Sequence, residues 1–274
     1  MMNRPLAELP AYVRPVFDMH AHPSPQGDGQ IERMLAAAER VGITRMILSD
    51  LGRGAWREYP SEEQVRRANE RVYDIVSNYP GRTYGYVYVN PNHAETRSIL
   101  EDGLAQEGVV GIKLWVSCKD DAGRVDPVYS VLELAQDRQV PVLIHAFDRT
   151  GGNLAGELSP GEIANLARRY PQAAIVMAHL GGVWQRGVRA IQPVENVYAD
   201  ICGTRAYLGM VEHAVRELGA GRVLFGTDAH GRAFSGQIAK VVGAEVDIAD
   251  KRRILWDNST QLFLGERKVS ADDC

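Results

Sequence analysis

Cysteine is scarce in this 274-residue chain, and the three present, Cys118, Cys202 and Cys274, are odd in number and widely spaced. That excludes a disulfide framework and a cysteine-based zinc knuckle. Long apolar runs are missing as well: no stretch approaches the ~20 residues that span a bilayer, so no membrane association is expected. Met1-Met2-Asn3-Arg4-Pro5-Leu6 has no apolar core of the kind a secretory signal needs. The cytoplasm is therefore the expected location, and the Asn258-Ser259-Thr260 sequon is expected to go unused. Basic clusters and aromatic-basic repeats are absent and the formal net charge is -4, so nucleic acid is excluded as a partner. Neither Gly-x-Gly-x-x-Gly nor Gly-Lys-Ser/Thr occurs, and Gly151-Gly152 and Gly181-Gly182 read as loop glycines rather than a phosphate cradle. With no linker, low-complexity tract or repeat beyond a strand-helix unit, residues 1–274 read as a single domain.

What is present is 45% hydrophobic content, enough to bury a large core. Apolar, β-branched runs bounded by turn residues occupy 16–20, 45–49, 84–89, 110–114, 142–145, 175–179, 197–201 and 223–227. Between them helical periodicity runs over 31–41, 61–77, 94–106, 127–137, 159–169 and 207–218. Ser61 to Gln64 and Ser159 to Glu162 carry the capping-box pattern, and Asp126-Pro127 reads as an N-cap followed by proline at the first helical position. Alternation of strand and helix implies a parallel sheet, and strands that are apolar throughout imply that both its faces are covered. Eight such units predict an α/β fold, a (β/α)8 TIM barrel. Because the 183–191 segment between the sixth and seventh strands is short and weakly helical, a distorted barrel or an open doubly wound sheet is the alternative. Residues 234–264 supply C-terminal closing helices.

Metal-ligand residue types stand where these runs end. His20 and His22 follow Val16-Phe17-Asp18-Met19, and residues two apart on a strand point the same way, close enough to hold one ion. His145, His179 and Asp228 close the apolar runs Pro-Val-Leu-Ile, Ile-Val-Met-Ala and Val-Leu-Phe-Gly-Thr. A single histidine at a strand end is more often a hydrogen-bonded structural residue. Four of the seven histidines at matching places are another matter. His93 and His213 lie in polar, helix-like surroundings and read as surface residues. In a barrel the active site lies at the C-terminal ends of the strands, where His20, His22, Lys113, His145, His179 and Asp228 all fall.

This ordered series resembles the amidohydrolase superfamily. Val-Gly-Ile-Lys-Leu, Asp-Pro-Val-Tyr, Pro-Val-Leu-Ile-His-Ala and His-Leu-Gly-Gly resemble its amidohydrolase-2 branch of metal-dependent hydrolases and decarboxylases, from about residue 16 to 264. The resemblance implies that His20, His22 and Asp228 bind a divalent metal, with zinc the expected ion, and that His145 is a further ligand. It also implies that Asp228 takes the proton from metal-bound water, and that His179 binds a second ion or holds the reacting water or substrate oxygen. Neutral imidazoles and one carboxylate leave zinc positive and able to lower the pKa of bound water toward ~7. Lys113 interrupts an apolar strand, and burying its ammonium is costly without a counter-charge. Either it is carbamylated, as in superfamily members where such a lysine bridges two metals, or it stays an ammonium facing a substrate carboxylate, Asp228 or another acid. One or two ions are therefore expected.

The activity so implied is hydrolysis of an amide, lactone or ester. A non-oxidative decarboxylase or hydratase of the same branch is the runner-up, and a non-catalytic barrel the third reading, against which the unbroken ligand set speaks. Arg53, Trp56, Arg57, Trp115, Lys119, Arg149, Trp184 and Arg186 stand in loops able to meet substrate, with His230 beside Asp228. A metal at the pocket floor favours anions, so a small carboxylated substrate is expected, with Arg53 or Arg149 as anchor and Trp115 in contact. Barrels of this kind often dimerise, which leaves a homodimer open, although the residues themselves do not fix the oligomeric state.

Overall fold

A computed structural model describes residues 10–23, 29–52 and 59–265. Eight parallel strands follow one another in sequence order around a single sheet: β1 (Val16–Ala21), β2 (Ile43–Leu48), β3 (Thr83–Tyr88), β4 (Val109–Leu114), β5 (Val142–Ile144), β6 (Ile175–Met177), β7 (Val197–Asp200) and β8 (Val223–Leu224). The sheet closes on itself. Met19 N–H donates to Phe225 O at 3.0 Å, Asp228 N–H donates to His20 O at 2.8 Å, and Ala21 bridges Ala229 in parallel. The open-sheet alternative is thereby removed.

The helices are α1 (Gln30–Arg40), α2 (Glu62–Asn78), α3 (Thr96–Leu104), α4 (Pro127–Arg138), α5 (Pro160–Arg169), α6 (Trp184–Ile191), α7 (Met210–Leu218) and α8 (Phe234–Val242). They are followed by α9 (Ile248–Arg252), a π-helical turn (Arg253–Asp257) and α10 (Asn258–Leu264). No helix among the described residues is long and apolar enough to cross a membrane. The weak segment after β6 is a full crossover helix, α6. It buries only Gly187, Val188 and Ile191, too few apolar positions to stand out in the sequence. Gly187 has a packing reason: a Cβ there would lie 1.9 Å from the Leu180 carbonyl oxygen.

Both capping boxes form. Ser61 and Ser159 accept from the N–H groups of Gln64 and Glu162, each at 3.3 Å, and the partner side chains bond back at 2.8 Å. Such a cap contributes about 1 kcal/mol. Asp126 does not cap α4. Its backbone is already helical, with φ of -53° and no side-chain cap bond, because the turn begins one residue earlier with Val128 N–H donating to Val125 O.

Two apolar layers hold the barrel. The outer one packs the strands against α1–α8. The inner one fills the barrel with Phe17, Met19, Ile47, Tyr86, Leu143, Val176 and Leu224, all fully buried, and is joined by Trp256 and Phe263 from the closing helices. Each such side chain is worth about 1.5–3 kcal/mol on burial. Met19 belongs to this layer and its neighbour His20 reaches Lys113 on β4, although strict alternation would send the two to opposite faces. A register irregularity between Asp18 and Ala21 resolves this, re-aiming the end of β1 as bulges beside functional sites do.

Candidate active site

His20, His22, Lys113, His145, His179 and Asp228 all line one cavity of about 1190 Å³, large enough for a small-molecule substrate. They come from the ends of β1, β4, β5, β6 and β8. Trp115, Arg149 and His230 line the same cavity. Arg53, Trp56 and Arg57 lie outside the described residues, as does Cys274.

The hydrogen bonds behind the first two histidines fix which ring nitrogen is available. His20 Nδ1–H donates to Asp200 Oδ2 at 2.7 Å, and His22 Nδ1–H donates to the Ser49 carbonyl at 2.7 Å. Each acceptor can only accept, so each neutral ring keeps its lone pair on Nε2. His22 Nε2 lies 3.4 Å from Asp228 Oδ1, and donor atoms of His20, His22 and Asp228 all lie within 4.8 Å of one another. Two fixed lone pairs and a carboxylate in that compass suit a divalent cation. Burial, reinforced by Lys113, holds His20 well below the usual imidazole range, in the neutral form that a ligand needs.

Asp228 is set by its backbone as much as by its neighbours. It adopts φ of 60°, a conformation costly for a residue with a Cβ, and is clamped from both sides. Thr227 N–H donates to buried Asp18 at 2.9 Å and the Thr227 hydroxyl donates to the same carboxylate at 2.5 Å. Burial pushes Asp18 up to about 8. Burial acts in the same sense on Asp228, but the close approach of the His22, His179 and His20 rings outweighs it, and its carboxyl is held well below the usual range.

Lys113 is 1% exposed, and burial lowers its amine to about 8. Its Nζ lies 2.8 Å from His20 Nε2 and forms no ion pair with an acid among the described residues. The expected counter-charge is reached at one remove, through the His20 ring to Asp200.

His145 and His179 face each other, Nδ1 to Nε2, at 3.1 Å. Behind His145, Nε2–H donates to Glu157 Oε1 at 2.7 Å. Glu157 is fully buried and also takes Arg149, Nε at 2.7 Å and Nη2 at 2.6 Å. Burial alone would raise Glu157, but the bonds from His145 and Arg149 overcome it and hold the carboxyl at about 2. Two of the three nitrogens of Arg149, the expected substrate anchor, are thus engaged behind His145.

Other loop residues have structural partners. Lys119 pairs with Glu162 at 2.8 Å, Arg186 with Asp148 at 3.1 Å, and Trp184 packs on His213 at 5.3 Å between ring centroids. His93 and His213 are only partly exposed, contrary to their reading as surface residues: His93 sits 3.1 Å from Asn90 Nδ2 and His213 beneath Trp184.

Glu157, Asp200 and Cys202 escaped the sequence reading. Asp200 carried a usable signal, since it ends the apolar run Val197-Tyr198-Ala199 as Asp228 ends its own. Glu157 sits in an aperiodic loop and had none. Asp200→Asn tests the support behind His20. Asp200 Oδ1 accepts Cys202 N–H at 2.8 Å while Oδ2 accepts His20, and an amide has one oxygen for two donors. Metal affinity is expected to fall about 10–100-fold, as for other partners behind ligand histidines, in a chelator competition titration. An unchanged affinity would rule out this supporting role.

A fully parallel barrel with a polar cluster at the strand ends defines the class, and the comparisons supply the family. A family model described as amidohydrolase matches residues 17–264, and the chain belongs to that metal-dependent family. No curated protein matches the chain by sequence. Among solved structures it resembles 2,6-dihydroxybenzoate decarboxylase from Rhizobium at 16% identity and TM-score 0.69, covering 92% of this chain and 99% of that one. It also resembles 4-oxalomesaconate hydratase from Rhodopseudomonas palustris at 15% identity and TM-score 0.66, covering 91% and 96%. A dihydroxybenzoic acid decarboxylase from Polaromonas sp. JS666, with bound manganese and the inhibitor 2-nitroresorcinol, is similar at 18% identity and TM-score 0.68, covering 92% and 97%.

Proposed function

We propose that this chain is a metal-dependent hydrolase of a small carboxylated molecule, cleaving an amide, lactone or ester bond. The observation that carries this reading is Asp228, an ionised carboxylate lining the cavity beside the Nε2 lone pair of His22. His20, His22 and Asp228 hold the ion, and His145 and His179 stand next to them. When bound, a divalent metal supplies Lewis acidity, polarising an oxygen of water or substrate and neutralising negative charge that develops there. Asp228 accepts the proton of the attacking water, and His179 holds an oxygen of water or substrate.

A second reading, a decarboxylase or hydratase using the same residues, is favoured by the likeness to a solved decarboxylase and a solved hydratase. One assay separates the two. Protein stripped with a chelator and reloaded with zinc or manganese is offered lactones, esters and amides of small acids beside 2,6-dihydroxybenzoate. Metal-dependent hydrolysis with no carbon dioxide release is the expected result. Carbon dioxide release without hydrolysis replaces the first reading with the second. Metal content settles the role of Lys113: if it bridges as a carbamate, Lys113→Ala lowers the count from two ions toward one, and an unchanged count identifies an ammonium.

A further inference from the structure

We infer that Arg232, in the loop between β8 and α8, is the residue that receives the substrate's carboxylate, in place of the expected Arg149. The inference deepens the proposed function and rests on its carboxylated substrate.

Among the described residues, Arg67, Arg71, Arg149 and Arg232 are the arginines on the cavity wall. Three of them already hold a carboxylate. Arg67 pairs with Glu63, Arg71 lies 2.7 Å from Asp50 Oδ2, and Arg149 gives both Nε and Nη2 to Glu157. A substrate carboxylate at any of these would share the charge with a tethered acid or displace it. For Arg149 that acid is fully buried, so freeing the arginine would strip Glu157 of a partner in the interior. Arg232 meets no acid among the described residues. Its donors go to neutral acceptors, Nε to the Gly203 carbonyl at 2.8 Å and Nη1 to the Gly231 carbonyl at 2.9 Å. The guanidinium charge is therefore unpaired, and Nη2 keeps both its N–H groups for an incoming anion.

The two backbone bonds also aim the side chain. Held at Nε and Nη1, the guanidinium has less rotamer freedom to lose when an anion binds. Gly203 ties it to the ion site. This glycine has φ of 69°, and a Cβ there would fall 2.5 Å from His179 Nδ1 and 2.8 Å from Asp228 Oδ2, so the absence of a side chain lets the backbone pass close to both while its carbonyl takes Arg232. One residue thus separates the guanidinium from the side chains that act on the scissile bond, which suits a molecule whose carboxylate lies a few bonds from its reacting carbonyl. Lys240 adds to the positive field. Its Nζ donates to the Ile201 carbonyl at 2.8 Å and to Thr204 Oγ1 at 3.2 Å, again with no acid paired to it among the described residues. The loop after β7 is flanked by two cations whose counter-charge an anionic ligand would supply.

Binding, read without turnover, tests this. Zinc-loaded enzyme is titrated calorimetrically with glutarate and with 5-oxohexanoate, which share one carboxylate able to meet the ion and differ in whether the other end is charged. Wild type is expected to favour glutarate. In Arg232→Gln that preference is expected to fall about fivefold or more, with 5-oxohexanoate affinity and zinc content unchanged; the loss is moderate because ion pairs at exposed groups are weak. Arg67→Gln removes a charge on the same wall that Glu63 already meets, and it is expected to keep the preference to within about twofold, since exposed charges at a distance are screened. An Arg232→Gln variant that keeps the preference, an Arg67→Gln variant that loses as much, or a wild type that shows none overturns the inference. Failure to hydrolyse any substrate in the assay above would instead count against the proposed function; the titrations stand apart from it, because neither probe has an amide, lactone or ester bond to cleave.

Discussion

His22→Ala abolishes metal binding and turnover while the barrel keeps its stability; His20→Ala abolishes both and weakens the fold as well. The two residues differ in what stands behind them. His22 is partly exposed, and its loss frees one uncharged group, the Ser49 carbonyl. His20 is 1% exposed and joins Lys113 to Asp200, so its removal leaves a buried amine and a buried carboxylate without their partner. Each unsatisfied group costs about 1–3 kcal/mol, more where it is charged. Circular dichroism melts with metal analysis on the two variants are the measurement. Full metal occupancy in the double variant would sink the ligand assignment, and equal melting points would refute the relay through His20.

Why the barrel was legible while much of the site was not follows from what each depends on. The eight strands and the helices around them repeat a local pattern, and each unit has to bury its own apolar face, so periodicity reports them. The exceptions are local too. α6 was faint because Gly187 occupies the contact with Leu180 where a larger apolar residue would have marked a helix. Asp126 looked like a cap, but the backbone turn at Val125 starts α4 before its side chain is needed.

The six cavity residues announced themselves because each ends, or interrupts near its exit, an apolar run. Their supports did not. Glu157 is separated from His145 by a loop that only the fold brings back, and Cys202 lies 182 residues from the His20 ring it touches. A lone cysteine and a loop glutamate have no periodicity to read. Arg149 shows the same limit from the other side. A loop arginine near a pocket looks like a free anchor until its carboxylate partner, eight residues on, is seen to be buried behind the site.

Asp228→Asn is expected to lower kcat by about 10²–10⁴ or more, with the fold and most of the cavity unchanged. The substitution is clean for a backbone reason. Asp228 sits at φ of 60°, and asparagine tolerates that region better than any other residue of its shape, so the clamp through Thr227 and Asp18 survives. Alanine would add strain and confuse the result. What the amide removes is charge: it cannot accept a proton at a pKa useful for catalysis, and it is a poorer ligand for a divalent ion than a carboxylate. Steady-state kinetics at saturating metal separate the two losses. If added metal restores most of the rate, Asp228 acts chiefly as a ligand; if kcat stays low at full occupancy, proton transfer is the larger part. Turnover within about twofold of wild type would leave Asp228 a structural residue, and the proposed hydrolysis would lose the group that accepts its proton.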